Sequence, residues 1–209
     1  MPISPLRERE RAAILEAAYR CLADAGGNPI RMSHILTGAG VSSRAFYRHF
    51  SSKDDLLLAL LAHECEQLTM LLDNIAEQAA GTPADQLTAW IATMFDANTD
   101  PRHRLRFAAL DSDEVRAASG YREARERWYA ARERSLIQIL SRGRQDGSLP
   151  MADPEIDAMA ISALVSRVIM GQKVDDAGAF GHARVRVTEF ALRAVGASVD
   201  EFGAGGRSE

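Results

Sequence analysis

Apolar residues recur along this chain at intervals of three and four, the spacing of one face of an α-helix, and no segment alternates as a half-buried strand would. Ile14, Ala17, Ala18, Cys21, Leu22 and Ala25 mark a first helix over about 6–25, stopped by Gly26-Gly27. A loop containing Pro29 leads to a short helix over about 32–39, with Ser33 near its start and Ile35, Leu36 and Ala39 facing inward. Gly40 permits a tight turn, because the backbone angles such a turn uses are unfavourable for other residues. Ser42 stands as N-cap of a third helix running to Phe50. Ser52 caps a fourth, with Asp55 at its third position in a capping-box-like arrangement. That fourth helix is long. Leu57, Leu60, Leu61, Leu68, Leu71, Leu72, Ile75 and Ala79 carry its apolar stripe towards Gly81.

The remainder also reads as helices. Thr82-Pro83 opens one to about Asn98, and Pro101 a shorter piece through Leu110; a broken or mixed stretch covers 111–119. A long helix over about 121–145 ends in the turn signals of 146–150. Asp153-Pro154 opens the next, to Gly171, and a last helix holds Phe180, Ala183, Val187, Phe190, Ala191 and Ala194. About nine helices are expected, with no internal repeat. The pattern predicts an all-α protein divided into an N-terminal three-helix helix-turn-helix domain over 1–54, a helical bundle over 55–200 and a flexible tail over 201–209.

Composition narrows the class. With 209 residues and 46% hydrophobic content, the chain can bury a substantial core. Cys21 and Cys65 sit at apolar helical positions and read as free buried thiols. His63 and Cys65 point to different helix faces, so no metal site is expected. No apolar run approaches the ~18 residues of a membrane span. Met1 to Glu10 is charged rather than signal-like, which predicts a cytoplasmic protein with no membrane partner. The net charge of −4 argues against nucleic acid until its distribution is considered. Up to Leu56 there are eight Lys+Arg against six Asp+Glu, and beyond it 17 against 23. The basic excess coincides with the short helices. No nucleophile–base pair, metal-ligand spacing or Gly-rich phosphate loop is present, so neither an enzyme nor a cofactor is expected.

The third helix carries the chemistry. With Phe46 turned to the core and ~100° per residue, Phe50 and Ser42 lie near it while Arg44 and Arg48 fall almost opposite. Two guanidinium forks on one exposed face suit guanine edges or phosphates of double-stranded DNA. Ala45 is small enough for close approach and for contact with a thymine methyl. Tyr47, His49 and Lys53 lie towards the rim, where phosphates run, and the N-terminus of the fourth helix adds N–H groups for another.

Ala39-Gly40-Val41-Ser42, Phe46-Tyr47-Arg48-His49-Phe50 and Ser52-Lys53 together resemble the N-terminal signature of the tetracycline-repressor (TetR) family. The likeness is specific over roughly Arg9 to Leu61 and architectural beyond. One departure is Asn28-Pro29-Ile30-Arg31-Met32, where the family more often has a short β-branched lead into the second helix. The resemblance implies an all-helical homodimer joined through its last two long helices, usually a repressor released by a small molecule. It also implies that Tyr47, His49 and Lys53 contact phosphates while Ser43, Arg44, Ala45 and Arg48 face bases.

An effector, on that resemblance, would sit inside the C-terminal bundle, where Trp90, Met94, Phe95, Phe107, Tyr121, Trp128 and Met170 are candidate lining residues. Plain core packing is the competing reading for each. Arg102, His103, Arg104 and Arg106 are expected mostly at the surface, since a buried unpaired guanidinium is costly. The charge-alternating run from Arg122 to Arg144 reads as an exposed, salt-bridge-laced face. Small and apolar residues on the last two helices, among them Ala160, Ala163, Leu164, Val168 and Gly171, suit a second copy of the chain better than water. Two functional readings remain: a ligand-released repressor of a palindromic operator, and a constitutive DNA binder with no ligand.

Overall fold

Among the residues that the computed structural model describes (5–25, 28–78, 80–99, 110, 112–171 and 177–197) there are nine helices and no strand. They are α1 (Pro5–Asp24), α2 (Met32–Ala39), α3 (Ser43–Tyr47), α4 (Lys53–Gln78), α5 (Pro83–Asp96), α6 (Asp113–Arg116), α7 (Tyr121–Asp146), α8 (Pro154–Gly171) and α9 (Ala177–Ala194). Gly26-Gly27, Phe107, the cluster Arg102, His103, Arg104 and Arg106, and the tail lie outside the described residues. None of the described helices is long and apolar enough to cross a membrane.

The chain forms two compact units, 1–67 with 101–128 and 68–100 with 129–209. The sequence suggested a division at residue 54, but the first unit takes in the opening turns of α4. Its Leu56, Leu57, Leu60, Leu61 and Cys65 share one buried cluster with Ile14, Ala17, Ala18 and Leu22 of α1, Ile35 of α2, and Phe46 and Phe50. A helix whose first four turns supply that much of a small core belongs to it. Val115 of α6 joins the same cluster, and the Tyr19 hydroxyl donates to the Leu60 carbonyl at 2.9 Å. Cys65 is buried and Cys21 half-buried, and neither is in a disulfide.

Local chemistry sets the helix ends. Gly40 takes φ 65°, its N–H reaching Thr37 O at 3.2 Å while Val41 N–H reaches Leu36 O at 3.1 Å, which closes α2 and turns the chain. Ser42 Oγ accepts from Ala45 N–H at 3.2 Å, as its N-cap role requires. Helix α3 ends at Tyr47 rather than Phe50. Arg48 N–H bonds Ala45 O and His49 N–H bonds Phe46 O, so the last turn tightens to i→i−3 bonding. Ser52 Oγ caps α4 through Asp55 N–H at 3.0 Å, but the Asp55 carboxylate reaches back to Ser51 rather than to the cap residue.

The second unit packs Leu87, Trp90, Ile91, Met94 and Phe95 of α5 against Leu136, Ile139 and Leu140 of α7, Ile161 and Val165 of α8, and Phe180 and Val187 of α9. Thr82 and Asp85 make a reciprocal capping box with Pro83 in the first turn. Between α7 and α8 the chain folds back so that buried Leu149 lies on Gly143, its N–H donating to the Gly143 carbonyl at 2.8 Å. A Cβ at Gly143 would overlap Cγ and Cδ1 of Leu149 and come within 2.9 Å of its Cβ. Gly143→Ala is therefore expected to destabilise the chain by about 1–2 kcal/mol, overpacking outweighing the ~1 kcal/mol helix-propensity gain. A urea titration showing an unchanged or higher midpoint at constant slope would refute that contact.

Candidate nucleic-acid interface

Helices α2 and α3 and the three-residue turn between them set out the expected reader. Phe46 is fully buried and Phe50 nearly so, their rings 5.6 Å apart, which fixes the inward side of α3. On the outward side Ser42, Ser43, Arg44, Tyr47 and Arg48 are exposed, Tyr47 at 63%. Arg44 has no hydrogen-bond or charge partner among the described residues. Ala45 corrects the expected face. It is 6% exposed, because it neighbours Phe46 in helical rotation and that flank is closed, so its methyl is not offered to a groove.

The two arginines are not equivalent. Arg44 projects outward, whereas Arg48 is folded back within the unit: its Nη2 donates to both carboxylate oxygens of Glu10, at 3.2 and 3.1 Å. His49 joins the same carboxylate, Nε2 to Oε2 at 3.0 Å, and its ring is only 8% exposed. These bonds, first from His49 and then from Arg48, hold the Glu10 carboxyl below its usual pKa. An ionised carboxylate only accepts, so His49 Nε2 is the protonated nitrogen. Arg11, on the next position of α1, lies 5.6 Å over the Phe50 ring.

Lys53 is likewise engaged. Its ammonium pairs with Glu114 of α6 and donates to the Ile30 carbonyl at 2.8 Å, while Glu114 Oε2 accepts from Ile30 N–H at 2.9 Å. Asp54 accepts from Ser119 N–H at 3.0 Å. Glu10, Glu114 and Asp54 escaped the sequence reading because each pairs across 38 to 84 residues, and no local spacing marks such a partner.

Six of the seven candidate effector residues are described, and each is placed within its own unit. Trp90, Met94 and Phe95 are buried in the second unit's core, whereas Tyr121 and Trp128 are half-buried in the first unit. Tyr121 borders an open groove of about 580 Å³ with Arg116, Arg122 and Arg125. Met170 is 67% exposed near the end of α8, so it faces outward rather than into an enclosed cavity of its own unit. The charge-rich α7 also needs correction: Arg132 is 1% exposed, stacks 5.1 Å from the Tyr129 ring centre and donates to Ser162 Oγ at 2.6 Å. Its position in the helical repeat puts it beside Ser135 and Leu136, on the buried face.

Comparison with known proteins agrees with this geometry. The family model of bacterial regulatory proteins, tetR family, matches residues 14–60, the stretch that holds α2, α3 and the start of α4. The chain is 30% identical over 186 residues to the HTH-type transcriptional regulator BetI of Brucella suis, covering 84% of this chain and 86% of that protein. The BetI proteins of Brucella abortus and Brucella canis align over 46% of their own length, so the chain spans about half of each of these two. Its fold matches the SmeT–triclosan complex with a TM-score of 0.74 at 24% identity, over 88% of this chain and 90% of that one. It matches the regulator FadR from Bacillus subtilis, solved with stearoyl-CoA, with a TM-score of 0.71 at 20% identity, over 88% and 98%. A buried-phenyl helix-turn-helix with arginine-bearing α3, joined to an all-helical body, places the chain in the TetR family of DNA-binding transcriptional regulators, a non-enzymatic family.

Proposed function

We infer that the chain is a homodimeric repressor of a palindromic operator, released by a small-molecule effector and working in the cytoplasm. The observation that carries this is α3 itself, with Phe46 and Phe50 buried on one side and Ser43, Arg44, Tyr47 and Arg48 exposed on the other. Arg44 serves as base reader. Tyr47 serves the backbone, as does His49 once freed from Glu10, and Lys53 serves it on release from Glu114; Arg48, expected at the bases from the sequence, is assigned to the backbone as well because it shares the Glu10 carboxylate with His49. The two functional parts are a DNA reader formed around α1–α3 and a sensing and dimerising body built on the later helices.

Exposed apolar side chains support the dimer. Ile156, Met159 and Met170 on α8 and Val185 and Phe190 on α9 are each more than half exposed, on the two helices the sequence assigned to self-association. Two readers related by a dyad require half-sites one helical turn, or a multiple, apart. Relatives of this fold solved with stearoyl-CoA and with triclosan support an effector. A constitutive binder is the second reading, favoured by the close burial of Trp90, Met94 and Phe95.

The test has two arms. Arg44→Ala is expected to weaken binding to a duplex enriched by the wild-type protein from a random pool by about 1–3 kcal/mol, and to relax base preference. An equal loss on random duplex would remove Arg44 from the base-reading role. A thermal-shift screen of metabolites and drugs separates the repressor from the constitutive binder. A hit that also lowers affinity for the enriched duplex supports release, and a screen without one supports the constitutive reading.

A further inference from the structure

We propose that Glu10 is an internal stand-in for backbone phosphate, occupying Arg48 and His49 while no DNA is bound and lowering sequence-independent affinity. The inference rests on α3 being the reader.

Three observations carry it. Glu10 alone among residues 6–11 is partly buried, although it lies within the alternating run Arg7-Glu8-Arg9-Glu10-Arg11. Its two oxygens converge on one guanidinium nitrogen and one imidazole nitrogen, all at 3.0 to 3.2 Å. A phosphate oxygen would present the same charge and acceptor geometry to these donors. Arg48 and His49 also flank the exposed surface that carries Arg44 and Tyr47.

A phosphate therefore meets two obstacles at this corner. It must take Arg48 from a carboxylate, and it must approach that carboxylate's own negative charge. On random sequence little offsets this, because base contacts are missing. On a matched site the Arg44 contact brings the duplex close enough for the exchange to proceed. Glu10 thus acts on specificity rather than on fold: it subtracts from backbone attraction on every sequence, and relatively more where backbone attraction is all there is.

The experiment compares the full-length protein with Glu10→Gln, which keeps the shape and one acceptor but removes the charge. Affinities are measured across a salt series for a random-sequence duplex and for the duplex enriched from a random pool by the wild-type protein. Glu10→Gln is expected to bind the random duplex about 3- to 10-fold tighter. Its log–log salt dependence should steepen by about 0.9, one further phosphate contact. The enriched duplex gains less, so the ratio between the two falls. Adding Arg48→Ala to Glu10→Gln removes the gain.

An unchanged or weaker random-duplex affinity with an unchanged salt slope overturns the proposal and leaves Glu10 a structural tie between α1 and the end of α3. Arg44→Ala, run alongside, separates that failure from failure of the reader assignment. If Arg44→Ala leaves the enriched duplex bound as tightly as before, it is the assignment of α3 that falls, and the Glu10 salt slope is still decided on its own. Should Glu10→Gln melt early, Glu10→Asp, which shortens the reach, carries the same expectation at smaller size.

Discussion

Replacing Phe46 with alanine is expected to cost about 3–5 kcal/mol, the range for emptying a large aromatic site in a packed core. It is also expected to abolish DNA binding, although Phe46 itself touches no DNA. The ring is fully buried, meets Phe50 at 5.6 Å, and stands edge-on to Tyr47 at 5.3 Å. Helix α3 has only five residues, too few to persist in water on its own, so its order comes from that docked ring and the Ser42 cap. Removing the ring releases Arg44 and Tyr47 from a fixed register, and an unregistered guanidinium has no base to read. Phe46→Leu, which refills most of the site, should lose about 1–2 kcal/mol and retain binding. Thermal unfolding and duplex affinity measured on the same three proteins check this. A Phe46→Ala protein that melts and binds like the wild type would show that α3 is held by something else.

The reader was legible in the sequence because everything that shapes it is local. Gly40 supplies the positive φ of the turn, Ser42 accepts from the N–H three residues on, and Phe46 and Phe50 share a face by helical spacing alone. Ala45 was misplaced for a reason of the same kind. Rotation angle puts it on a flank, but only the packed unit decides whether a flank is open, and here it is closed. The charge network was out of reach altogether. Glu10 to His49 and Glu114 to Lys53 are contacts between residues far apart in sequence, and a carboxylate that pairs with such a residue looks the same along the chain as one that faces water.

In the body, helix boundaries were readable because Thr82-Pro83, Asp153-Pro154 and Gly147 punctuate the chain. What faces the interior was less so. Along α7, Arg122 to Arg144 alternates charges so regularly that an exposed face is the natural expectation, yet Arg132 is buried with Ser135, Leu136, Ile139 and Leu140. Its long side chain lets the guanidinium reach Ser162 on α8 while the stem packs, so one cation interrupts an otherwise apolar stripe. An effector site depends on voids, and periodicity reports which residues turn inward without reporting whether they meet there. Within the second unit, Trp90 is buried in the core whereas Met170 is 67% exposed, although both recur at apolar helical positions.

Trp90 gives the largest expected change in the second unit and separates its two readings. The indole is fully buried and its N–H donates to Ser135 Oγ at 2.9 Å; that hydroxyl in turn donates to the Arg132 carbonyl at 2.8 Å. Trp90→Ala is expected to cost about 3–5 kcal/mol if the ring is close-packed, through lost burial and the cavity left behind. At about 2–4 °C per kcal/mol for a chain of this size, the midpoint falls by roughly 6–20 °C. Trp90→Phe keeps most of the apolar contact but strands the hydroxyl as an acceptor, adding a loss of about 1 kcal/mol to the smaller packing deficit. If Trp90 instead walls an effector cavity, truncation widens a space that already exists and fewer contacts are forfeited, so the loss drops below about 2 kcal/mol. In that case an effector recovered by thermal shift should also lose affinity for Trp90→Ala. A large loss of stability with effector affinity intact assigns Trp90 to the core and moves the binding site elsewhere in the body.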